Sequence, residues 1–269
     1  MARIRVSAIQ MDIALGNAEG NRSKALRFVE DALRRGSKIV VLPELWLTGY
    51  ARNVHELAED VFKGPTVTAL VRLAREYNAY IFGSIPEKGA DGRLYNSMPI
   101  VTPNGVVDVY RKVHMFKIIN EHLIFSPGNK LVVLDTEFGR IGFAICYDIR
   151  FTEMIRAMVF NEIKILVVPA EWPCQRIDAW IALVRGRAVE NQIYVVAANR
   201  VGKDDTGRYC GHSAIVDPYG DYVAEAGSKE EIILTADINL EEVDRAREQI
   251  PALKDLAPEI YKNIAIVKG

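Results

Sequence analysis

The sequence IGFAICYDIR, at residues 141–150, changes from apolar to polar at Cys146. An apolar run this short, bounded by polar residues, is typical of a strand buried inside an α/β sheet. The end of such a strand is where an open α/β sheet presents reactive groups to solvent. We therefore predict a buried strand that ends at Cys146. This residue is either a nucleophile or, like many free cysteines, a small buried side chain.

A second copy of this pattern lies near the beginning of the chain. RVSAIQMDIA at residues 5–14 matches the first stretch, with Gln10 in the place of Cys146. KIVVLPELW at residues 38–46 and KILVVPAEW at residues 164–172 form a second matching pair. Two α/β units can resemble each other by chance, but matches that occur in the same order indicate an internal duplication.

Helix candidates accompany both copies of the pattern. Apolar residues at three- and four-residue spacings predict helices, roughly at residues 21–35, 66–77, 151–161 and 177–191. Each half would then supply a sheet covered by helices on one face. Two such sheets bury their bare faces against each other, so we predict an α/β fold: an internally duplicated four-layer α-β-β-α sandwich. Because Gln10 replaces Cys146 in the first half, we expect one active site.

The composition is ordinary for a globular protein. The chain has 269 residues, of which 49% are apolar and 26% charged, and its net charge is -1. This charge gives no reason to expect nucleic acid or a membrane as partner, so a small-molecule substrate is expected. Three cysteines at unrelated spacings argue against a disulfide framework. With no apolar leader or membrane span apparent, the expected location is the cytoplasm.

Two further reactive residues end similar apolar runs. Glu44 follows IVVLP, and Lys112 follows VVDVYR. A thiol, a carboxylate and an ammonium group at three strand ends can serve as nucleophile, base and oxyanion stabiliser in acyl transfer. Each residue taken singly could be structural, whereas the three together favour catalysis.

The motifs around these three residues resemble those of the nitrilase superfamily, the carbon–nitrogen hydrolases. They are LPELWLTGY with Glu44, YRKVHMF with Lys112 and GFAICYDIRF with Cys146. The resemblance covers nearly the whole chain and implies a Glu-Lys-Cys triad on a four-layer sandwich. It implies a single domain over residues 1–269 with a C-terminal tail from about residue 241. The chain is most similar to the ω-amidase branch, which implies hydrolysis of ω-amides of 2-oxo acids, no cofactor or metal, and a homodimer or higher homo-oligomer.

Supporting roles in the site are expected for two further positions. The oxyanion would meet Lys112 and the backbone N–H of Tyr147, which follows the nucleophile. The second glutamate of the superfamily corresponds to Glu121, which would anchor Lys112 or the substrate amide. The alternative for Glu121 is a loop carboxylate that pairs with Lys117.

The substrate contacts are predicted less directly. Arg150 could hold a substrate carboxylate in a bidentate manner, or it could cap a helix or pair with Asp148. Tyr50 and Trp172 are expected to wall the pocket. Trp46 could join them, although core packing explains it equally well.

Several other functions compete with an ω-amidase. A nitrilase or an N-carbamoyl amidohydrolase would use the same triad. A catalytically silent binding protein could keep Cys146 as a redox or interaction thiol. A Cys–His hydrolase is weaker because no histidine lies in a motif typical of one. A zinc site from Cys174, Cys210 and His212 lacks the usual paired spacing.

Overall fold

Two β-sheets packed face to face form the centre of the protein. The structure, a computed structural model, describes residues 3–261. Its strands in chain order are β1 (Arg3–Gln10), β2 (Ile39–Val41), β3 (Tyr80–Phe82), β4 (Ile85–Lys88), β5 (Leu94–Thr102), β6 (Gly105–Arg111), β7 (Val133–Leu134), β8 (Arg140–Phe143), β9 (Ile163–Ala170), β10 (Tyr194–Asn199), β11 (Val201–Asp204), β12 (Gly207–Cys210), β13 (Ala214–Val216), β14 (Tyr222–Glu225) and β15 (Ile232–Asn239). Its helices are α1 (Ala18–Arg34), α2 (Val54–Leu57), α3 (Pro65–Tyr77), α4 (Thr152–Val159), α5 (Ile177–Asn191) and α6 (Glu241–Gln249).

Both sheets follow the same plan. In the first sheet, β1, β2 and β3 are parallel neighbours, and β5 and β6 continue the sheet antiparallel. In the second sheet, β8, β9 and β10 are parallel neighbours, and β13 and β14 continue it antiparallel. An antiparallel strand also flanks each first strand: β15 pairs with β1, and β7 pairs with β8. The predicted duplication is therefore confirmed in the strand order.

The helices cover the outer faces of the two sheets. Strands β1 and β2 face β9 and β10, while α1 and α3 lie on the first sheet and α4 and α5 on the second. This is the predicted α-β-β-α sandwich. Helix α1 begins three residues earlier than the apolar spacing suggested, because the Asn17 side chain accepts a hydrogen bond from the Gly20 N–H and caps the helix there.

The central strands are buried on both faces. In β1, Val6 and Ala8 lie in the core between the sheets, whereas Ile9 lies in the core beneath α1 and α3. In β2, Val41 and Val40 are divided between the same two cores. Burial on both faces explains why β2 is an unbroken apolar run. It leaves the strand ends as the places where polar groups meet a cavity.

A disulfide joins Cys174 to Cys210. The expectation that the chain has no disulfide framework did not anticipate this single bond. The two residues are 36 positions apart in the sequence, and they meet because Pro173 forms a β-bridge with Tyr209. Spacing along the chain carries no sign of that bridge. Cys146 remains a free, buried thiol.

The segment predicted as a tail from about residue 241 begins as helix α6. Val243 on this helix is buried, and the Gln192 side-chain amide donates to the carbonyl oxygens of Ala246 and Ile250. The helix is thus packed on the rest of the chain. Along residues 3–261, no helix combines the length and apolarity needed to cross a bilayer.

Candidate active site

The structure brings the three predicted catalytic residues together. Glu44 begins the turn that follows β2, Lys112 directly follows β6, and Cys146 lies just beyond β8. Lys112 Nζ donates to Glu44 Oε1 at 2.8 Å, and the Cys146 thiol faces the same carboxylate. All three residues are buried. The arrangement places a nucleophile, a carboxylate and an ammonium group in one desolvated site.

The nucleophile occupies an unusual backbone conformation. Cys146 has φ of 47°, in the left-handed region that residues other than glycine rarely adopt. The buried Asp148 holds the chain on either side of it: Oδ2 accepts from the Ile145 N–H at 3.1 Å and from the Tyr110 hydroxyl at 2.7 Å. Its other oxygen accepts from the His114 N–H at 2.9 Å. Strained residues of this kind persist only where their surroundings fix them, as Asp148 does here.

Lys112 lies between two carboxylates. Its Nζ is 2.8 Å from Glu44 Oε1, and 2.8 and 2.9 Å from the two oxygens of Glu121. Burial alone would lower the pKa of Lys112, but Glu44 and Glu121 together raise it well above its ordinary value. The side chain therefore stays an ammonium ion. Glu121 does not pair with the exposed Lys117, so that alternative is wrong.

The Glu44 carboxylate is fixed by several donors. Besides Lys112, Oε1 accepts from the Asn96 side chain at 2.8 Å, and the Tyr50 hydroxyl lies 2.9 Å away. Oε2 accepts the Glu171 N–H at 3.0 Å. Asn96 was missed by sequence reasoning, because a single asparagine within a strand gives no signal of a catalytic neighbour. With one backbone donor, Oε2 keeps the capacity to accept a thiol proton.

The Cys146 thiol is neutral in the resting site. Burial raises the pKa of Cys146 well above its usual value, the Glu44 charge raises it further, and Lys112 opposes the two. A neutral thiol is a weak nucleophile and needs a base. Glu44 is the base that the geometry provides.

A cavity of about 310 Å³ leads to Cys146. Tyr50, Arg150 and Trp172, the three residues predicted to contact substrate, all line it. Tyr147, whose backbone N–H was predicted to meet the oxyanion, also lines it. Trp46 does not line the cavity. It is buried in the core beneath the helices, so the alternative explanation of core packing is confirmed.

Arg150 points its charge at this cavity. Its guanidinium lies 4.9 Å from the centre of the Trp172 ring, and within the described residues it forms no ion pair. The alternative that Arg150 pairs with Asp148 is wrong, because both oxygens of that carboxylate accept hydrogen bonds from groups around the nucleophile.

A buried ion cluster behind the cavity was also missed. Glu171 lines the cavity, and its Oε1 accepts from Arg200 Nη1 at 2.6 Å. Arg200 also donates to Asp204 Oδ2 at 2.7 Å and to Asp12 Oδ1 at 3.2 Å. Burial raises the pKa of Glu171 to about 7 against the pull of Arg200. The cluster ties the end of β9 to β11 and to the residues after β1.

The first half of the chain has a structural residue where the second has its nucleophile. Gln10 is fully buried, and its Nε2 donates to the carbonyl oxygens of Gly227 and Glu230, each at 2.9 Å. Its Oε1 accepts the Ser213 N–H at 3.1 Å. Its amide binds the loop after β14 and the residue before β13, so this position is structural and one half alone carries the triad.

Among residues 3–261, no group of three or more His, Cys, Asp or Glu side chains is placed to hold a metal ion. The zinc alternative with Cys174, Cys210 and His212 is wrong, because the two cysteines are bonded to each other.

Comparison with known proteins agrees with the site. A sequence model of the family described as Carbon-nitrogen hydrolase matches residues 5–248. The chain is 36% identical to a 2-oxoglutaramate amidase of Bacillus subtilis, over 95% of this chain and 98% of the relative. It is 35% identical to omega-amidase NIT2 of Pongo abelii, over 97% and 98% of the two chains.

A solved structure of similar fold gives the same assignment. Nit3 of Saccharomyces cerevisiae, a member of branch 10 of the nitrilase superfamily, superposes with a TM-score of 0.86 at 30% identity. The match covers 94% of this chain and 96% of Nit3. The chain therefore belongs to the carbon–nitrogen hydrolase family of the nitrilase superfamily, as its three motifs indicated.

Proposed function

We propose that this protein is a single-domain, cofactor-free thiol amidohydrolase that releases ammonia from ω-amides of small 2-oxo acids. The observation that carries the proposal is the buried Lys112, held between Glu44 and Glu121 beside Cys146 in a small cavity. Relatives named 2-oxoglutaramate amidase and omega-amidase, each about a third identical over nearly the whole chain, support the substrate class.

The first half of the reaction forms a thioester. Glu44 takes the proton of Cys146 as the sulfur attacks the amide carbon, and the carbonyl oxygen becomes an oxyanion. The Lys112 ammonium and the Tyr147 N–H stabilise it. That N–H is at the beginning of the 3-10 turn Cys146–Arg150, where backbone donors lack partners within the turn. The C–N bond then breaks, and Glu44 returns its proton to the leaving ammonia.

The second half regenerates the enzyme. Glu44 takes a proton from water as the oxygen attacks the thioester carbon, and the same two donors stabilise the second oxyanion. The C–S bond breaks, the carboxylic acid departs, and Cys146 recovers its proton from Glu44. One amide and one water thus give one acid and one ammonia. Lys112 stays charged throughout, because both carboxylates hold its pKa high.

Arg150 is the proposed contact for the substrate carboxylate. Its guanidinium lines the cavity over Trp172 and has the fork geometry that matches a carboxylate. A 2-oxo acid ω-amide carries such a group at the end opposite to the scissile bond. Trp172 and Tyr50 would contact the carbon chain of the substrate, between its carboxylate and its amide.

Ammonia release from a substrate panel tests the proposed function. The panel contains 2-oxo acid ω-amides, nitriles and N-carbamoyl amino acids, each assayed with the protein and with Cys146→Ala. We expect the ω-amides to give the highest kcat/KM and the variant to lose essentially all turnover. A higher kcat/KM on nitriles or carbamoyl compounds would replace the proposal with one of these alternatives.

We also propose a homodimer or higher homo-oligomer. A shallow groove on α5 supports it, because two apolar residues that line the groove, Val189 and Tyr219, are 49% and 42% exposed. Light scattering on the purified protein tests the proposal. A mass at least twice the 30.1 kDa of one chain is expected, and a monomer at micromolar concentration would contradict it.

The proposed location is the cytoplasm. The bond between Cys174 and Cys210 is an observation against this location, because disulfides are rare in the reducing cytoplasm. Alkylating the thiols at the moment of lysis distinguishes the two. Labelling of both cysteines in the extracted protein supports a reducing compartment. Protection of both would place the protein in an oxidising one.

A further inference from the structure

Two arginines carry the only unpaired charges on the walls of the active-site cavity, among the residues that the structure describes. Lys112 is paired with Glu44, and Glu171 with Arg200. Arg150 and Arg176 also line the cavity, and the ion pairs of residues 3–261 include neither.

Helix stability does not explain an arginine at position 176. The residue is the N-cap of α5, and its side chain makes no capping hydrogen bond. Ser, Thr, Asp and Asn are the residues that stabilise this position, and a cation there opposes the positive end of the helix. Arg176 therefore gives α5 no stabilising cap, and its side chain lines the cavity instead.

The backbone that carries Arg176 is held firmly. The Trp172 indole N–H donates to the Arg176 carbonyl oxygen at 2.7 Å. The disulfide from Cys174 to Cys210 fastens the same turn to β12. A charge on a fixed support loses less conformational freedom when it binds a ligand.

Both guanidinium groups lie against aromatic rings that line the cavity. Arg176 is 5.1 Å from the centre of the Phe116 ring, and Arg150 is 4.9 Å from that of Trp172. These contacts orient the planar groups and leave their N–H donors free for a ligand. Two guanidinium groups at one cavity can bind an anionic group that has several acceptor oxygens.

We propose that Arg176 is a specificity-determining residue that binds, together with Arg150, the anionic end of the substrate. The inference rests on the proposed amidase function and assigns the residues that select its substrate class. The favoured substrates are ω-amides whose far end presents a carboxylate with a neighbouring oxo group. One guanidinium takes the carboxylate in a bidentate manner, and the other takes the remaining acceptors. A neutral amide leaves both charges without a partner.

The test compares kcat/KM for a 2-oxo acid ω-amide and for a neutral amide of the same chain length. Arg176→Gln and Arg176→Leu both remove the charge, and thermal melts identify which of them is folded. We expect the ratio of the two kcat/KM values to fall about ten- to hundredfold, mainly through KM for the anionic amide. Arg208→Leu, on an exposed β12 residue that does not line the cavity, is the matched control.

The outcomes separate this inference from the function on which it rests. If the wild-type protein shows no preference for the anionic amide, the proposed function fails before any variant is compared. If the wild type prefers it and a folded Arg176 variant keeps the full ratio, the role of Arg176 is overturned while the function stands.

A double variant tests whether the two arginines hold the same group. Arg150→Leu combined with Arg176→Gln should lose less selectivity than the product of the single losses, because each single change already disrupts the shared contact. Losses that multiply in full would assign the two side chains to separate groups and overturn the shared site.

Discussion

Replacing Lys112 by methionine would remove the cation that holds the site together. The side chains of Glu44 and Glu121 are both 0% exposed, and each contacts Lys112 Nζ at 2.8 Å. Without Lys112, two buried carboxylates face each other with no counter-charge. Breaking a buried pair in this way costs about 3–5 kcal/mol, so we expect a loss of that size in the free energy of unfolding near pH 8.

The same change removes the proposed donor to the oxyanion. Loss of one such donor lowers turnover by about 10²–10³-fold, so Lys112→Met should lose at least about a hundredfold in kcat.

Urea denaturation and steady-state ammonia release measure the losses of stability and of turnover. Lys117→Met is the matched control, because it deletes an exposed lysine from the neighbouring turn and should change neither quantity. Wild-type stability and turnover in Lys112→Met would refute the reasoning. A loss of turnover with no loss of stability would show that the carboxylates do not depend on Lys112 for their burial.

Two further predictions concern stability. Burial raises the pKa of Glu171 from 4.5 to about 7. Between these two pH values the folded protein keeps a proton on Glu171 that the unfolded chain releases. Stability should fall as pH rises through this range, by up to about 3 kcal/mol, and Glu171→Gln should flatten the profile of unfolding free energy against pH. An unchanged profile in the variant would contradict this origin. Cys210→Ser removes the disulfide, which joins residues 36 positions apart. Urea denaturation should show a loss of about 3–4 kcal/mol in the free energy of unfolding, and reductant should cause the same loss in the wild type. Equal stability of the variant and the wild type would rule out a contribution from the bond.

The local parts of the fold and site could be predicted from the sequence. A strand buried on both faces must be apolar throughout, so the polar residue that ends it is visible in the sequence. Glu44 and Cys146 follow such strands, Lys112 follows the partly exposed strand β6, and the repeated order of motifs indicated the two sheets. The family motifs then added Glu121, whose position no spacing rule would have found.

The missed features depend on contacts between distant parts of the chain. Asn96 reaches Glu44 from β5, and Arg200 reaches Asp12 from 188 positions away. Neither residue type nor local spacing distinguishes these side chains from ordinary surface ones. The bond between Cys174 and Cys210 likewise depends on a β-bridge that joins a turn to the hairpin of β11 and β12. Such features follow from the packed fold.

The most direct test of the mechanism is the covalent intermediate. The protein is mixed with excess 2-oxo acid ω-amide, quenched in acid within the first turnovers and digested for mass spectrometry. We predict that the peptide containing Cys146 gains the mass of the substrate minus ammonia, and that peptides with Cys174 and Cys210 do not. Steady release of ammonia with no adduct on Cys146, or with the adduct on another residue, would contradict the thioester mechanism.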